Sequence, residues 1–283
     1  MTSPPIQWYP GHIAKAEKQL KEQIKRVDVV LEVLDARIPL ASHHPQVAKW
    51  VGSKTRLLVI NRLDMIPEGM EQEWRDWFKA QGETLYFTDA QSGQGVKLLK
   101  NAAQGAGIEM NKRRRDRGMR PRPVRAVVIG FPNVGKSALI NRLVRRKAVK
   151  SARRAGVTRQ LQWVRISDEI ELLDAPGVIP GRLDNQQDAI KLAICDDIGE
   201  AAYDNQRVAA ALVDLIGDLD FADVLKYRYG QELNLLTGEE YIYNLANLRY
   251  KGDLERVAVL LLNDFRKGLM GNIPLEFPPE SKN

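Results

Sequence analysis

The chain has 283 residues, a formal net charge of +7 and 44% hydrophobic residues, enough for two domains with sizeable cores and too apolar for wholesale disorder. Its one cysteine, Cys195, excludes an intrachain disulfide framework and a four-thiolate zinc site, and reads as a small apolar side chain on a helix. No apolar run approaches the roughly 20 residues a membrane span needs, residues 1–10 lack the pattern of a secretory signal, and a reducing cytoplasm fits both features.

Residues 12–26 are predicted to form a helix, with Ile13, Leu20 and Ile24 on one stripe and lysines around it. A strand at 27–34 ends at Asp35-Ala36-Arg37, a second at 56–60 ends at Asn61, and a third at 84–88 ends at Asp89-Ala90. A fourth at 124–129 runs into a glycine-rich turn, and two more, 161–166 and 170–173, end at Asp174. Helical stretches at 69–80 and 137–146 lie between them. Short apolar strands alternating with helices imply an α/β fold, a mostly parallel sheet with helices on both faces. Residues 105–123 hold glycines, prolines and the run Lys112-Arg113-Arg114-Arg115, and are expected to be an exposed basic connector. Beyond about Gly181 the strands stop. Asp253 is placed to cap a helix carrying Leu254, Val257, Leu260, Leu261 and Phe265, which closes near Arg266, Lys267 and Gly268. The expected division is 1–182 for the α/β domain and 183–283 for a C-terminal all-helical domain.

Gly130-Phe131-Pro132-Asn133-Val134-Gly135-Lys136-Ser137 matches the phosphate loop G-x-x-x-x-G-K-[ST], with a strand before it and a helix after it. Glycines let backbone N–H groups turn inward around phosphate oxygens, and the following helix adds its positive N-terminus. Lys136 is placed for the β- and γ-phosphates and Ser137 for Mg²⁺. Asp174-Ala175-Pro176-Gly177 resembles D-x-x-G, with Asp174 holding Mg²⁺ through water and the Gly177 N–H facing the γ-phosphate. Between them, Gly156-Val157-Thr158 places Thr158 as a switch hydroxyl for Mg²⁺.

A guanine-reading N-K-x-D motif normally follows D-x-x-G, and nothing after Gly177 fits it. Asn61-Arg62-Leu63-Asp64 fits at a strand end far upstream, with arginine for the usual lysine. Guanine offers N1–H and an exocyclic amine side by side, and the Asp64 carboxylate can accept from both; adenine would leave it unpaired. Asn61 can tie this loop to the base and the phosphate loop, and the Arg62 guanidinium can cover the base face. Asp89-Ala90 stands where GTPases place serine-alanine against the base. Base motifs therefore come first and phosphate motifs second, and residues 105–123 would be the joint of a permuted chain.

With Tyr9-Pro10-Gly11-His12-Ile13-Ala14-Lys15-Ala16 and Asp35-Ala36-Arg37-Ile38-Pro39 added to these motifs, the whole chain resembles the circularly permuted GTPases of the YlqF/RbgA type, the ribosome biogenesis GTPase A family. The resemblance implies GTP hydrolysis with Mg²⁺, action on the large ribosomal subunit late in its assembly, and binding of its rRNA in the GTP state. It also points to His12 as the group that positions the attacking water, since Val178 stands where Ras-like GTPases have glutamine. Asn133 occupies the loop position that holds K⁺ in cation-dependent relatives. The nucleotide set is then Asn61, Arg62, Asp64, Asp89, Ala90, Asn133, Val134, Gly135, Lys136, Ser137, Ala138 and Gly177. His12, Lys136 and Thr158 carry the chemistry.

Basic residues concentrate at 112–125 and at 142–159, the second running into Thr158, and rRNA is the expected partner for at least one stretch. Trp8, Tyr9 and Trp163 are expected to pack, with base stacking as the alternative. No membrane contact and a monomer are expected. Two other readings stay open: an ATPase or a GTP-binding scaffold with little turnover, suggested by Arg62 and Asp89, and an RNA chaperone in which nucleotide is structural.

Overall fold

The computed structural model describes residue 6 and residues 10–144, 162–174, 185–199 and 203–280, with backbone only for 10–17, 162–164 and 174. Helix α1 (Pro10–Arg26) starts on a proline, whose fixed φ and missing N–H suit a first helical turn. β1 (Val29–Asp35), α2 (Val47–Val51), β2 (Thr55–Asn61), α3 (Met70–Ala80), β3 (Leu85–Thr88), α4 (Val96–Asp116), β4 (Val124–Ile129) and α5 (Lys136–Val144) follow. After 145–161, which lie outside the described residues, come β5 (Gln162–Ser167) and β6 (Ile170–Asp174).

The six strands form one sheet in the order β3-β2-β1-β4-β6-β5. Every neighbouring pair is parallel except β5 with β6. β1 is buried at all seven positions, as a central parallel strand covered on both faces must be. Its alternate residues separate the two faces. Val29, Leu31 and Val33 join one core with Leu99 and Ala103 of α4 and Leu139 and Leu143 of α5. Val30 faces Leu20 and Ile24 of α1 with Val47 and Val51 of α2. Leu34 joins Trp74 and Phe78 of α3.

Residues 105–116, expected to be a connector, instead form the second half of α4. Gly107 explains how the helix accommodates its glycines: a Cβ there would stand 2.0 Å from Cγ2 of Val124, so glycine lets α4 lie close on the sheet. Buried Val96, Leu99, Ala103 and Gly107 recur at helical spacing along that contact. Only 117–123 connect α4 to β4. That short joint is clamped by Arg122, whose guanidinium takes both oxygens of Asp28 at 2.7 and 2.9 Å and whose backbone N–H donates to Asn111.

Past the sheet the described chain is helical: α6 (Gln186–Ile194), α7 (Asn205–Asp218), α8 (Asp223–Tyr229), α9 (Gly238–Arg249) and α10 (Leu254–Arg266). Asp253 caps α10 through the Arg256 N–H, and Thr237 with Glu240 forms a capping box on α9. These helices share the core of the α4/α5 face: Phe131 and Val134 from the sheet side belong to one cluster with Leu192, Val213 and Leu261. The expected boundary at 182/183 lies outside the described residues. Cys195 caps the C-terminus of α6 and is buried; burial pushes its thiol well up, so it packs rather than reacts.

Candidate functional site

In a sheet of this kind, ligands bind in the crevice beyond the carboxyl ends of the strands. The motif residues gather there. Asp35, Asn61 and Thr88 end β1, β2 and β3 in one row, since Asp35 pairs with Asn61 and Asn61 with Thr88. The phosphate loop leaves β4 beside them.

Gly130 has φ +147° and a Cβ there would lie 2.3 Å from the Val33 carbonyl oxygen, so only glycine allows the loop to leave β4 against β1. Gly135 has φ +97°, and a Cβ would lie 2.2 Å from Asn61 Nδ2. α5 then opens at Lys136, with half-buried Ser137 and Ala138 in its first turn. The Lys136 ammonium is buried and donates to the carbonyl oxygens of Phe131 at 2.6 Å and Gly130 at 3.2 Å. A buried lysine inside a glycine-bounded loop at the start of a helix is the arrangement of a phosphate site.

The base-reading loop is fastened to the phosphate loop. Asn61 Nδ2 donates to the Val134 carbonyl at 3.0 Å, and Asn61 Oδ1 accepts from Thr88 Oγ1 at 3.0 Å. Both halves of the amide are thus satisfied, one by the phosphate loop and one by the end of β3. Arg62, at φ +67°, donates through Nη2 to the Asn133 carbonyl at 2.5 Å and brings Nη1 to 3.4 Å from Asp35. Its guanidinium thus ties the base-reading loop to the phosphate loop a second time. Asp64 is exposed at the rim; partial desolvation and then the nearby Asp89 carboxylate raise its carboxyl above the ordinary value.

Asp89 is buried and turned onto its own loop, accepting from the Gln91 and Ser92 N–H groups at 2.7 and 3.1 Å. It does the local turn work that a serine at this position can do, which accounts for the substitution. The next residue, Ala90, lines a groove of about 810 Å³ between α4 and α5, together with Lys97, Lys100, Ala138 and Arg142. That volume is in the range of small-molecule sites, about 300–1,000 Å³.

Sequence reasoning assigned no role to the residues behind β1. Asp35 and Arg37 are fully buried and form a two-pronged pair, Nε to Oδ1 at 2.9 Å and Nη2 to Oδ2 at 2.7 Å. Burial works to raise the Asp35 carboxyl, but Arg37 and then Arg62 hold it below its ordinary value. Arg37 also touches the helices: its Nη2 donates to the Cys195 carbonyl at 3.3 Å, its carbonyl accepts from Leu275 N–H at 2.9 Å, and it stacks over Phe265. Glu276 accepts from the Leu40 and Ala41 N–H groups and pairs with Lys191. The Asp35-Ala36-Arg37-Ile38-Pro39 segment is therefore the seat of the helical region. The side chains of His12 and Asp174, and Thr158 and Gly177 altogether, lie outside the described residues.

A family model described as a 50S ribosome-binding GTPase matches residues 125–232. A relative from Bacillus cereus named ribosome biogenesis GTPase A is 35% identical over 97% of this chain and 95% of its own length. This chain belongs to the ribosome biogenesis GTPase A family. A relative from Xenopus tropicalis, mitochondrial ribosome-associated GTPase 1, is 32% identical over 90% of this chain and 79% of its own. The crystal structure of GNP-bound YlqF from Thermotoga maritima superposes with a TM-score of 0.65 at 23% identity, covering 94% of this chain and all of that one. That likeness bears on the fold, a circularly permuted P-loop GTPase domain followed by helices. As a member of the ribosome biogenesis GTPase A family the chain is a GTPase, and the loops described above carry its nucleotide motifs.

Proposed function

We propose that this chain is a GTP-hydrolysing switch in late assembly of the large ribosomal subunit, slow alone and stimulated by that subunit. The observation that carries the reading is the Asn61 bond to the Val134 carbonyl, which makes the guanine loop and the phosphate loop one unit although 73 positions separate them in the chain. Its specificity rests on Asp64, its phosphate contacts on Lys136 and the loop amides, and its base-side wall on Ala90 and Ala138.

The residue types fit Mg²⁺, with Ser137 in the first turn of α5 and Asp174 at the end of the neighbouring β6, joined by Thr158. Bound there, Mg²⁺ would offset charge on the β- and γ-phosphate oxygens. Asn133 Oδ1 suits K⁺, which would add positive charge where the leaving group gains negative charge. His12, at the start of α1, orients the attacking water. The helical region from residue 183 onward answers to the nucleotide through its seat on 35–41 and its short link to Asp174-Ala175-Pro176-Gly177.

For rRNA the structure favours the exposed end of α4. Lys112, Arg115, Arg117 and Arg120 are exposed, whereas Arg113 is paired with Glu109, Arg122 is engaged by Asp28 and Arg125 approaches Glu171 at 3.6 Å. Of the second basic stretch, Arg142 donates to the Ser92 carbonyl, and residues 145–159 lie outside the described residues.

The deciding experiment is GTP turnover in KCl buffer with and without large ribosomal subunits. Strong stimulation is expected, with a loss of about 100-fold in the stimulated rate for His12→Ala and unchanged nucleotide binding. No stimulation, with GTP and GDP bound tightly, would remove the subunit from the reading.

A further inference from the structure

Six described residues other than glycine have positive φ, and three of them form one chain of contacts. Arg62 donates to the Asn133 carbonyl at 2.5 Å. Asn133, at φ +58°, donates its side-chain Nδ2 to the Asp196 carbonyl at 2.6 Å and to Asp196 Oδ2 at 3.3 Å. Asp196 is itself at φ +65°. The phosphate loop is thus held by a residue of the helical region, in none of the GTPase motifs.

The conformation of Asp196 has a local cause. α6 ends in a paired turn, with Asp196 N–H bonding to the Ala193 carbonyl and Asp197 N–H to the Leu192 carbonyl. The residue in the left-handed position of such a turn is usually glycine. An aspartate kept there, in contact with a second left-handed residue in a catalytic loop, is strain located where function can use it.

The chemistry of the contact fixes the amide. A carbonyl and a carboxylate can only accept, so the Asn133 atom facing Asp196 is Nδ2. Oδ1, the one amide atom able to ligate a cation, is then turned away from Asp196 and held in one orientation. We propose that Asp196 is a positioning residue for the phosphate loop: it sets the orientation of the Asn133 amide and thereby the monovalent-cation response of the GTPase. The second half of this proposal rests on the K⁺ reading above; the first half does not.

The test uses the full chain with Asp196→Asn, Asp196→Gly and Asp196→Lys. Two quantities are read: GTP turnover as KCl replaces NaCl at constant ionic strength, and hydrogen exchange of the amides from residues 131 to 135 with GDP bound. Asparagine keeps an acceptor and tolerates the left-handed turn, so it should match the parent. Lysine places a cation against an N–H donor, and the K⁺ concentration for half-activation should rise about fivefold or more, with faster exchange in the loop. Glycine relieves the turn but keeps only the backbone acceptor, so thermal stability should rise while the K⁺ midpoint moves by about twofold.

A lysine variant with the parent's K⁺ midpoint and the parent's exchange overturns the proposal. Should that variant lose its fold, the glycine variant decides: higher stability with an unmoved midpoint and unmoved exchange overturns it equally. If the parent itself turns over equally in KCl and NaCl, the cation reading fails, and exchange alone judges the positioning. Faster loop exchange in the lysine variant would then uphold it.

Discussion

The two joints of this chain are built in opposite ways. The joint at 117–123, where the permuted chain passes from base motifs to phosphate motifs, lies at the amino end of β4 and is mostly exposed to solvent. Among the described contacts it is held by the Arg122–Asp28 fork, by Asn111 on the Arg122 backbone and by Arg114 on the Arg120 carbonyl. The seat at 35–41, where the helices meet the sheet, lies at the carboxyl ends of the strands and is dry. There Asp35, Arg37 and Glu276 are all buried; Arg37 and Glu276 bond to backbone groups of the opposing part, and Asp35 holds Arg37. A parallel sheet keeps its ligand loops at the carboxyl edge. A chain can therefore be rejoined at the amino edge without touching the site, whereas a contact at the carboxyl edge is felt by the nucleotide loops.

The contrast can be broken most severely at the seat. Arg37→Leu strands the Asp35 carboxylate in the core and should cost about 3–5 kcal/mol in urea unfolding. A cost below about 1 kcal/mol would mean that the seat is not a structural joint. Asn61→Ala removes two buried bonds between the loops and should cost about 1–3 kcal/mol, with weaker GDP binding by titration calorimetry. Parent-like GDP affinity would separate the loop tie from nucleotide binding.

Asp197 sharpens the comparison through pH. Both of its carboxylate oxygens are buried with no hydrogen-bond partner among the described residues, and burial, then the Asp35 charge, push its carboxyl well above the ordinary 3.8. The folded protein keeps this proton at pH values where the unfolded chain has released it. The unfolded state then binds fewer protons, so this group makes stability fall as pH rises from the ordinary carboxylate range toward the raised value. Asp197→Asn removes that penalty. Its melting temperature should exceed the parent's by more at pH 8 than at pH 5, and an equal offset at both would refute the assignment.

At the permutation joint the effects should be small. Arg122→Ala should cost about 1 kcal/mol, since its fork with Asp28 is only partly buried. A Gly-Ser insertion after Met119 should change stability by no more than about 0.5 kcal/mol and leave GTP turnover as in the parent. A large loss of turnover there would show that the amino edge communicates with the site after all.

Much of this arrangement was legible from the residues. The strand ends at Asn61 and Ile129 and the cap at Asp253 follow from local rules, because apolar runs, turn residues and capping side chains act over a few positions. Residues 105–116 read as a connector in isolation because glycine and a basic run mark loops there. Gly107 belongs in the helix only because Val124 of another element lies against it. The bond from Arg62 to the Asn133 carbonyl is invisible to its neighbours along the chain, because the two residues lie 71 positions apart.

The sequence by itself determined the α/β class, the order of the motifs, and the residue types that meet phosphate and guanine, since each rests on short-range patterns with few physical solutions. The tie of Asn61 to the phosphate loop was expected from the motif, but only the tertiary structure decided how Asp35 and Arg37 become a buried pair and that Asp196 reaches the phosphate loop. Those contacts join residues far apart in the chain, and their energies depend on a burial that no local pattern records.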